Sequence, residues 1–336
     1  MKQSKQIIPV TKASPVLITN GFEEVARFQL TSNFVINAEE DGEIVDYDEE
    51  SKIMIARYKS GKCKAIDLSA NIVKNGGGGF FLSNILKTDL QVGSKFKKND
   101  VLAYHKDFFK NDKFNNCRMV IGTLAKVAIM STYNTYEDAT VITEKLSKDA
   151  STEMCFKKPT TVGKNANVFY IVEKGQEISV GDPLIQFDTS YEDESINALL
   201  ANLAAEEKES ILEGARNEVK SKYSGVIEDI KIYSTVDLDE MSPSLKKIVS
   251  KYYKSINKKK DFLDKYDPES KTSIVKCGML LKEPTRKIQP NKFGVINGEY
   301  VEDGVLIEFY IKHSEPLEIG SKIANFTKEC GEVKPL

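Results

Sequence analysis

The sequence predicts a mainly β protein with inserted helices, an α+β chain in which strands dominate. Short apolar runs separated by turn residues recur through about the first 190 residues, which is typical of a sheet-rich fold. Two amphipathic segments with helical periodicity then interrupt this pattern. The strand pattern returns from about Lys287, so the helical block is predicted to be an insertion between two β-rich parts.

The first part of the chain holds several strand candidates bounded by turn pairs such as Asp41-Gly42 and Gly61-Lys62. They are Pro15–Ile18, Phe34–Ile36, Glu43–Tyr47, Lys52–Ala56 and Val120–Gly122. A run of four glycines, Gly76–Gly79, predicts a flexible loop because glycine loses most conformational freedom on folding. Phe80 follows this run where a phosphate-binding Walker loop requires Gly-Lys-Ser/Thr, which argues against a nucleotide P-loop.

Two helices are predicted in the second half, at Ser195–Val219 and Pro243–Leu263, with Ser242 or Ser244 as the cap of the second. The second helix combines an apolar stripe with many lysines. The stripe consists of Leu245, Ile248, Val249, Tyr252 and Tyr253. Such a helix is ordinarily packed on a core with a solvated polar face, and the alternatives are a docking helix for a protein or a phosphate-facing patch.

Composition excludes some classes of function. The 48 basic and 50 acidic residues give a net charge of -2, so any nucleic-acid affinity must come from local basic patches. Five scattered cysteines without a C-x-x-C pair favour reduced thiols over a zinc ribbon, and two histidines leave little material for a nucleophilic triad. The absence of a long apolar span or signal core predicts a cytoplasmic chain without a membrane partner.

The most informative segment lies between Val120 and Leu146. Ala125–Met130 has the pattern of a buried strand, a polar loop follows, and Thr140–Thr143 resumes the strand pattern. The loop carries the adjacent carboxylates Glu137 and Asp138, which repel each other and require either solvent or a cation. Lys322, in a turn near the end of the sequence, is suited to neutralising phosphate, although solvent exposure alone also explains it.

The order of several motifs resembles the β subunit of bacterial-type multisubunit DNA-directed RNA polymerase. The motifs are Lys5–Val10 (KQIIPV), Pro15–Glu23, Asp41–Asp48 (DGEIVDYD), Lys97–Ala103 (KKNDVLA), Tyr136–Leu146 (YEDATVITEKL), Gly181–Leu184, Ser224–Ile230 and Glu318–Ala324 (EIGSKIA). The run Tyr136–Leu146 is similar to the family's N-F-E-D-A-I-I-I-S-E-R-L. The stretch from about Val236 to Asn291 has no counterpart.

The resemblance implies part of a double-psi β-barrel with an inserted flap or wall domain. Residues 1–160 would form the β-rich hybrid-binding and barrel part, 161–300 the flap with its helical insertion, and 301–336 the returning barrel strands. From its position in the flap, the basic helix is expected to bind a promoter-specificity factor.

The resemblance also implies roles for individual residues. Glu137 and Asp138 correspond to β carboxylates near the second magnesium ion and the triphosphate of the incoming nucleotide, while the catalytic Mg²⁺ is held mainly by the partner β′ chain. Lys322 corresponds to a lysine near the RNA 3′ end, and Lys5 and Gln6 to residues that face nascent RNA. Phosphoryl transfer of this kind makes little demand on His or Cys.

The implied partners are a β′-like subunit, the remaining part of β, an assembly subunit, a promoter-specificity factor, the DNA template, nascent RNA and nucleoside triphosphates. A full β chain is several times longer, so a split subunit or a truncated piece is expected. Split β subunits occur in large bacteriophages, and the many Lys, Asn and Ile residues suit such an origin, with the host cytoplasm as location.

One departure from the family leaves an alternative open. The family continues G-D-K-M-A-G-R-H-G-N-K-G, whereas this chain has Asn325–Gly331 (NFTKECG), in which Lys328 could replace the second active-site lysine by a shift. The alternative is a catalytically inactive polymerase-like module that docks a transcription factor.

Overall fold

A computed structural model describes residues 10–15, 18, 20–74, 81–112, 116–120, 122–130, 140–188, 216–266, 295–296, 299–301, 303–321 and 330–334. The chain divides into two compact units. Unit 1 comprises Met1–Tyr47, Lys52–Met154 and Ser314–Leu336, and unit 2 comprises Asp48–Ser51 and Cys155–His313. The domain boundaries predicted from sequence fall after residues 160 and 300, and the main changes between units fall after residues 154 and 313.

Strands dominate both units. Up to residue 149 the elements are α1 (Phe22–Gln29), β1 (Val35–Asn37), β2 (Gly42–Asp48), β3 (Ile53–Tyr58), β4 (Cys63–Asp67), β5 (Asn71–Lys74), β6 (Phe81–Asn84), β7 (Leu86–Lys87), β8 (Lys95–Phe96), β9 (Val101–His105), β10 (Phe109–Asn111), β11 (Cys117–Met119), β12 (Thr140–Thr143) and α2 (Glu144–Asp149). They continue as β13 (Thr152–Gly163), β14 (Asn167–Ile171), β15 (Glu177–Ile178), β16 (Pro183–Asp188), β17 (Arg216–Lys220), β18 (Gly225–Ser234), a 3₁₀ turn (Leu238–Glu240), α3 (Pro243–Asp264), β19 (Val295–Ile296), β20 (Glu299–Tyr300), β21 (Gly304–Glu315) and β22 (Cys330–Lys334).

The mainly β prediction is confirmed, with four corrections at the level of elements, one of which is that the described residues of Pro15–Ile18 form no strand. The helix predicted for Ser195–Val219 is wrong at its end, because Arg216–Lys220 forms β17 and pairs antiparallel with β16, while residues 189–215 lie outside the described part. Ala125–Met130 forms no strand, and the described residues of Val120–Gly122 form none either. The described strands form separate sheets without a closed barrel, so the double-psi barrel stays a prediction.

Unit 1 packs a four-stranded sheet of order β4-β3-β2-β8 beside a three-stranded sheet of order β1-β9-β7. Apolar side chains from both sheets form one core cluster. It includes Ile44, Met54, Ala56, Ile66, Leu86, Phe96 and Leu102. Gly42 allows the close approach of strands within the first sheet, since a Cβ atom there would lie 2.2 Å from the carbonyl oxygen of Arg57.

His105 is a core residue of unit 1, with 2% of its surface exposed. Its ring stacks on Phe34 and meets Phe108 edge to face, and its Nε2 lies 3.2 Å from the Oδ1 of Asn84. Burial lowers the pKa of His105 to about 4, because the charged imidazolium would lose its hydration. The histidine is therefore uncharged at neutral pH and serves packing.

This buried histidine predicts acid sensitivity. The unfolded chain takes up the proton first as pH falls, so stability is full above about pH 6.5 and is lost as pH falls towards 4. The loss in the free energy of unfolding should reach about 3 kcal/mol. Urea unfolding of the wild type and of His105→Gln between pH 7 and 4.5 checks this. A pH dependence that is the same in both proteins would contradict it.

Unit 2 is built on long antiparallel strands. β18 pairs with β21 along nearly its whole length, from Val226 opposite Lys312 to Ser234 opposite Val305. β15 and β13 flank this pair, and β14, β16 and β17 form a second, three-stranded sheet. The core cluster draws on strands from both sheets and on α3. It includes Val162, Val168, Leu184, Ile185, Ile227, Val305, Ile307 and Phe309.

The helix α3 begins and packs as its sequence predicts. Ser242 is the N-cap, its side chain accepts a hydrogen bond from the Leu245 amide at 3.3 Å, and Pro243 occupies the first turn. Leu245 and Val249 are fully buried, and Tyr253 is 7% exposed. The apolar stripe thus forms part of the core of unit 2, and the lysines lie on the other side of the helix.

A buried charge lies at the centre of the unit 2 sheet. The Glu308 side chain is 1% exposed. One carboxylate oxygen pairs with the Lys157 Nζ at 2.9 Å, and the other accepts a hydrogen bond from the Tyr310 hydroxyl at 2.8 Å. Burial, reinforced by the neighbouring Glu308 charge, raises the pKa of Tyr310, so this hydroxyl stays protonated and donates. All three residues project from the adjacent strands β13 and β21.

Candidate functional site

The predicted catalytic and RNA-binding residues lie outside the described residues. They are Glu137, Asp138, Lys322, Lys5, Gln6 and Lys328. The structure does describe the chain segments that adjoin several of them in sequence, and these segments meet in unit 1 around the short helix α2. This group of segments, 10–14, 122–123, 140–151, 317–321 and 330–334, is called the α2 region below.

A parallel strand pair anchors the α2 region. β12 begins two residues after Asp138 in sequence, and β22 begins two residues after Lys328. Their register sets Thr140 opposite Cys330 and Ile142 opposite Val333, with an irregularity between these pairs. The sequence separation between the two strands gave no hint that they pair. The fold therefore places the strands that follow two predicted site segments side by side.

The helix α2 follows β12 directly because Thr143 both ends the strand and caps the helix. Its side chain accepts a hydrogen bond from the Leu146 amide at 3.1 Å. The buried Ser147 hydroxyl then donates to the carbonyl oxygen of Leu317 at 2.7 Å. This contact fixes the chain just before the turn that leads to Lys322. In that turn the Ser321 amide donates to Glu318.

The segment after the predicted RNA-facing residues Lys5 and Gln6 runs along the end of the same helix. The Lys12 amide donates to the Asp149 carbonyl at 3.1 Å, and the Thr11 amide to Ser151 at 2.9 Å. The Ser14 amide donates to Gly122 at 2.8 Å, which joins this segment to the chain leading into residues 124–130. The α2 region thus connects parts of the chain that are more than 300 residues apart in sequence, from Thr11 to β22.

Residues 124–130 contradict the prediction of a buried strand. They make no regular secondary structure, and all seven are exposed. The large apolar side chains Leu124, Val127, Ile129 and Met130 are 57%, 82%, 101% and 67% exposed. This segment is called the exposed apolar run. Contiguous apolar exposure of this kind marks an interaction surface in a soluble protein.

The five residues predicted to bind a partner lie in α3, on the side that faces the core of unit 2. Leu245, Val249 and Tyr253 belong to the core cluster itself, and Ile248 and Tyr252 pack against it. Partner binding by this helix stays a prediction. Its geometry leaves the lysine-bearing side for such contacts.

The sequence predicts a magnesium ion that is held mainly by a partner chain. Among the residues that the structure describes, no three or more His, Cys, Asp or Glu side chains form a group suited to a metal ion. The described helices also include none with the length and apolar character needed to span a bilayer.

The described residues define a mainly β protein of two units, and unit 1 carries the exposed apolar run. No family model matches the chain. It is similar to the protein named DNA-directed RNA polymerase subunit beta in two bacteria. The identity is 24% over 280 residues in Ligilactobacillus salivarius and 25% over 280 residues in Acetivibrio thermocellus.

These alignments cover 74% of this chain, but 22% and 21% of the two relatives. The chain therefore spans about a fifth of the length of the curated relatives it matches. The likeness supports a relationship to bacterial β subunits.

Proposed function

We propose that this chain is a β-subunit segment of a DNA-dependent RNA polymerase. In this function it contributes nucleotide-phosphate, second-metal and RNA-end contacts for nucleotidyl transfer, and it is inactive without its partners. The observation that carries the proposal is the likeness to two β subunits over 280 residues, at 24% and 25% identity.

The α2 region supports the proposed site. Polymerase chemistry needs carboxylates and lysines gathered from distant parts of the chain around one triphosphate. The described flanks of Glu137-Asp138 and Lys328 form adjacent parallel strands, and the flank of Lys322 is bound to α2. In the proposed function the carboxylates of Glu137 and Asp138 assist a second magnesium ion, Lys322 contacts the RNA 3′ end, and Lys5 and Gln6 face nascent RNA.

Magnesium would supply neutralisation of the charge on the triphosphate. Most ligands of the magnesium ions would come from a β′-like partner, so this chain needs to contribute only the two carboxylates. Carboxylate oxygens are the donors that Mg²⁺ prefers, and Glu137 and Asp138 are adjacent in sequence.

The exposed apolar run supports a role as one subunit among several. Its four large apolar side chains, Leu124, Val127, Ile129 and Met130, lie within seven residues, and each is more than half exposed. Solvation of such a segment is unfavourable by about 25 cal/mol per Å² of apolar surface. A partner that covers it would recover this free energy.

Co-purification tests the proposed function. A tagged full chain, expressed in its natural context, should retain a β′-like subunit and the remaining part of β, and the purified assembly should extend RNA on a DNA template. The chain alone should be inactive. Recovery of an assembly without a β′-like subunit, or one that cannot extend RNA, would contradict the polymerase function.

The exposed apolar run gives a prediction about assembly. The double variant Val127→Lys/Ile129→Lys should reduce recovery of the partner subunits at least about tenfold, because two apolar contacts become buried charges. The melting temperature of the chain alone should not change, since both side chains are exposed. The matched control is Val92→Lys/Val180→Lys, at sites that are 58% and 68% exposed. Equal recovery with both double variants would contradict the assignment.

The sequence departure at Asn325–Gly331 favours one second candidate, a catalytically inactive polymerase-like module that docks a transcription factor. If this second function is correct, the chain should co-purify with partners, but the purified assembly should not synthesise RNA. The same co-purification therefore separates the two functions. Bacteriophage origin and a natural split of β belong to the first proposal and can be read from the genes around the coding sequence.

A further inference from the structure

The solvent side of α3 carries a row of lysines. Lys247, Lys251, Lys254 and Lys258 follow each other at intervals of four, three and four residues, so they lie on one face of the helix, and all four are exposed. This row is called the lysine face. The apolar stripe is buried in the core, so the lysine face is the part of the helix that another molecule can reach.

The lysine face alternates between occupied and available cations. The Lys251 Nζ pairs with Glu173 at 3.0 Å, and the Lys258 Nζ pairs with Glu50 at 3.0 Å. Within the described ranges, Lys247 and Lys254 make no ion pair. The lysine face thus already binds two carboxylates of this chain. Lys247 and Lys254 remain for carboxylates of another molecule.

A cleft of about 440 Å³ lies beside the lysine face. Ser250, Tyr253, Lys254 and Asn257 line it, and Leu238 contributes to its wall. The cleft shares Lys254 and Lys258 with the lysine face, and Asp261 also lines it. Its volume lies within the lower part of the range of ligand pockets, so it has ample room for an acidic side chain.

Tyr253 is an incomplete polar group at this cleft. The residue is 7% exposed, and its hydroxyl oxygen has no hydrogen-bond partner among the described residues. Burial raises the pKa of Tyr253, so the hydroxyl is protonated and available as a donor. An unpaired buried hydroxyl is unfavourable, and an acceptor that entered the cleft would satisfy it.

We propose that the lysine face binds an acidic segment of a protein partner, with one carboxylate entering the cleft at Lys254 and Tyr253 and a second pairing with Lys247. Lys254 follows Lys247 by seven positions, a rise of about 10 Å along the helix. A polyproline II segment presents residues i and i+3 on one side about 9 Å apart. The recognised pattern is therefore two acidic residues three positions apart in an extended segment.

Nucleic acid fits this surface less well. A phosphate backbone is a continuous row of negative charge, and it would meet Glu50 and Glu173, which already lie along the row. A peptide can place its carboxylates only where the lysines are available. The proposal rests on unit 2 alone and does not depend on the polymerase function.

Binding of labelled peptides to the full chain tests this proposal. The probes are fluorescein-labelled (Glu-Pro-Pro)4, its uncharged counterpart (Gln-Pro-Pro)4, and a single-stranded DNA 12-mer. The glutamate peptide should bind at least about tenfold more tightly than the glutamine peptide, because charge-assisted hydrogen bonds are the stronger ones. Binding of both peptides with equal affinity, or tighter binding of DNA than of the glutamate peptide, would overturn the proposal.

Variants of the chain locate the contact. Lys247→Glu/Lys254→Glu should weaken the glutamate peptide at least about tenfold, while Lys259→Glu/Lys260→Glu, which makes the same charge change on another face of α3, should leave it within about twofold. Tyr253→Phe removes only the hydroxyl and should weaken binding about fivefold. Equal effects of the two double variants would show that net charge alone attracts the peptide and would overturn the assigned site. Circular dichroism melting confirms that each variant is folded.

Discussion

Replacement of Glu137 and Asp138 together by alanine should slow nucleotide addition about 100-fold or more in an assembled polymerase that contains this chain. The two carboxylates are proposed to assist a second magnesium ion beside the incoming triphosphate, where loss of one preorganised electrostatic contact commonly lowers the rate 100- to 1,000-fold. Single-nucleotide addition on a preformed RNA–DNA scaffold, followed at several magnesium concentrations, measures the effect. The defect should lessen as magnesium rises.

The control for this experiment is a second pair of adjacent carboxylates in unit 1. Glu39→Ala/Glu40→Ala makes the same chemical change in a different part of the chain, where Glu39 is exposed and paired with Lys64. It should elongate RNA at the normal rate. Both variants should retain the same partner subunits on purification. Normal nucleotide addition by the Glu137/Asp138 variant would remove these residues from the site while leaving the polymerase function standing.

Glu308→Ala should destabilise unit 2 by about 3–5 kcal/mol, since removal of one member of a buried ion pair leaves the other charge without compensation. The Lys157 Nζ and the Tyr310 hydroxyl would both lose their acceptor, and Glu308 is 1% exposed. Glu308→Gln retains a hydrogen-bond acceptor and should be less harmful. Urea unfolding followed by tyrosine fluorescence measures the change.

Two further variants test the explanation for this loss. Glu308→Leu with Lys157→Met removes both charges and should recover much of the stability, because apolar replacement of a whole buried pair is often neutral or favourable. Glu173→Ala breaks the exposed pair with Lys251 and should change stability by less than about 1 kcal/mol. If the Glu308→Ala and Glu173→Ala losses were equal, the buried pair would have no special role.

The sequence predicted the local elements well where its pattern was long and strongly periodic. α3 begins at Pro243 with Ser242 as its cap, because the capping serine, the first-turn proline and the apolar spacing all agree. β21 likewise lies in the part of the chain after Lys287 where the strand pattern returns. Local propensity and packing act together in such segments, so pattern alone indicates the outcome.

Other features depended on information that no local pattern contains. An apolar pattern predicts that a segment is covered, but it does not show whether the cover comes from the same chain or from another one. For the exposed apolar run the sequence therefore predicted burial, whereas the structure shows exposure. Arg216–Lys220 follows a helical pattern but pairs with β16, where tertiary contacts override propensity. The Lys157–Glu308–Tyr310 group was missed because it joins β13 to β21 across about 150 residues.

The candidate site could be predicted only as an ordered series of motifs. Their order along the chain suggested a family, and the likeness to two bacterial β subunits supports that relationship. The pairing of Thr140 with Cys330 adds a contact between distant segments that no single motif contains. Partner binding by α3 stays a prediction, and sequence alone did not show that Leu245, Val249 and Tyr253 belong to the core of unit 2.

The parallel pair of β12 and β22 also constrains the order of folding. Its strands enclose a loop of about 190 residues, and such a closure is slow and entropically unfavourable while the intervening chain is unfolded. β13 and β21 are neighbours in one sheet, so folding of unit 2 brings its own two ends together and shortens that loop. During synthesis β22 emerges last of the described strands. The α2 region can therefore close only late, after unit 2 has had time to fold.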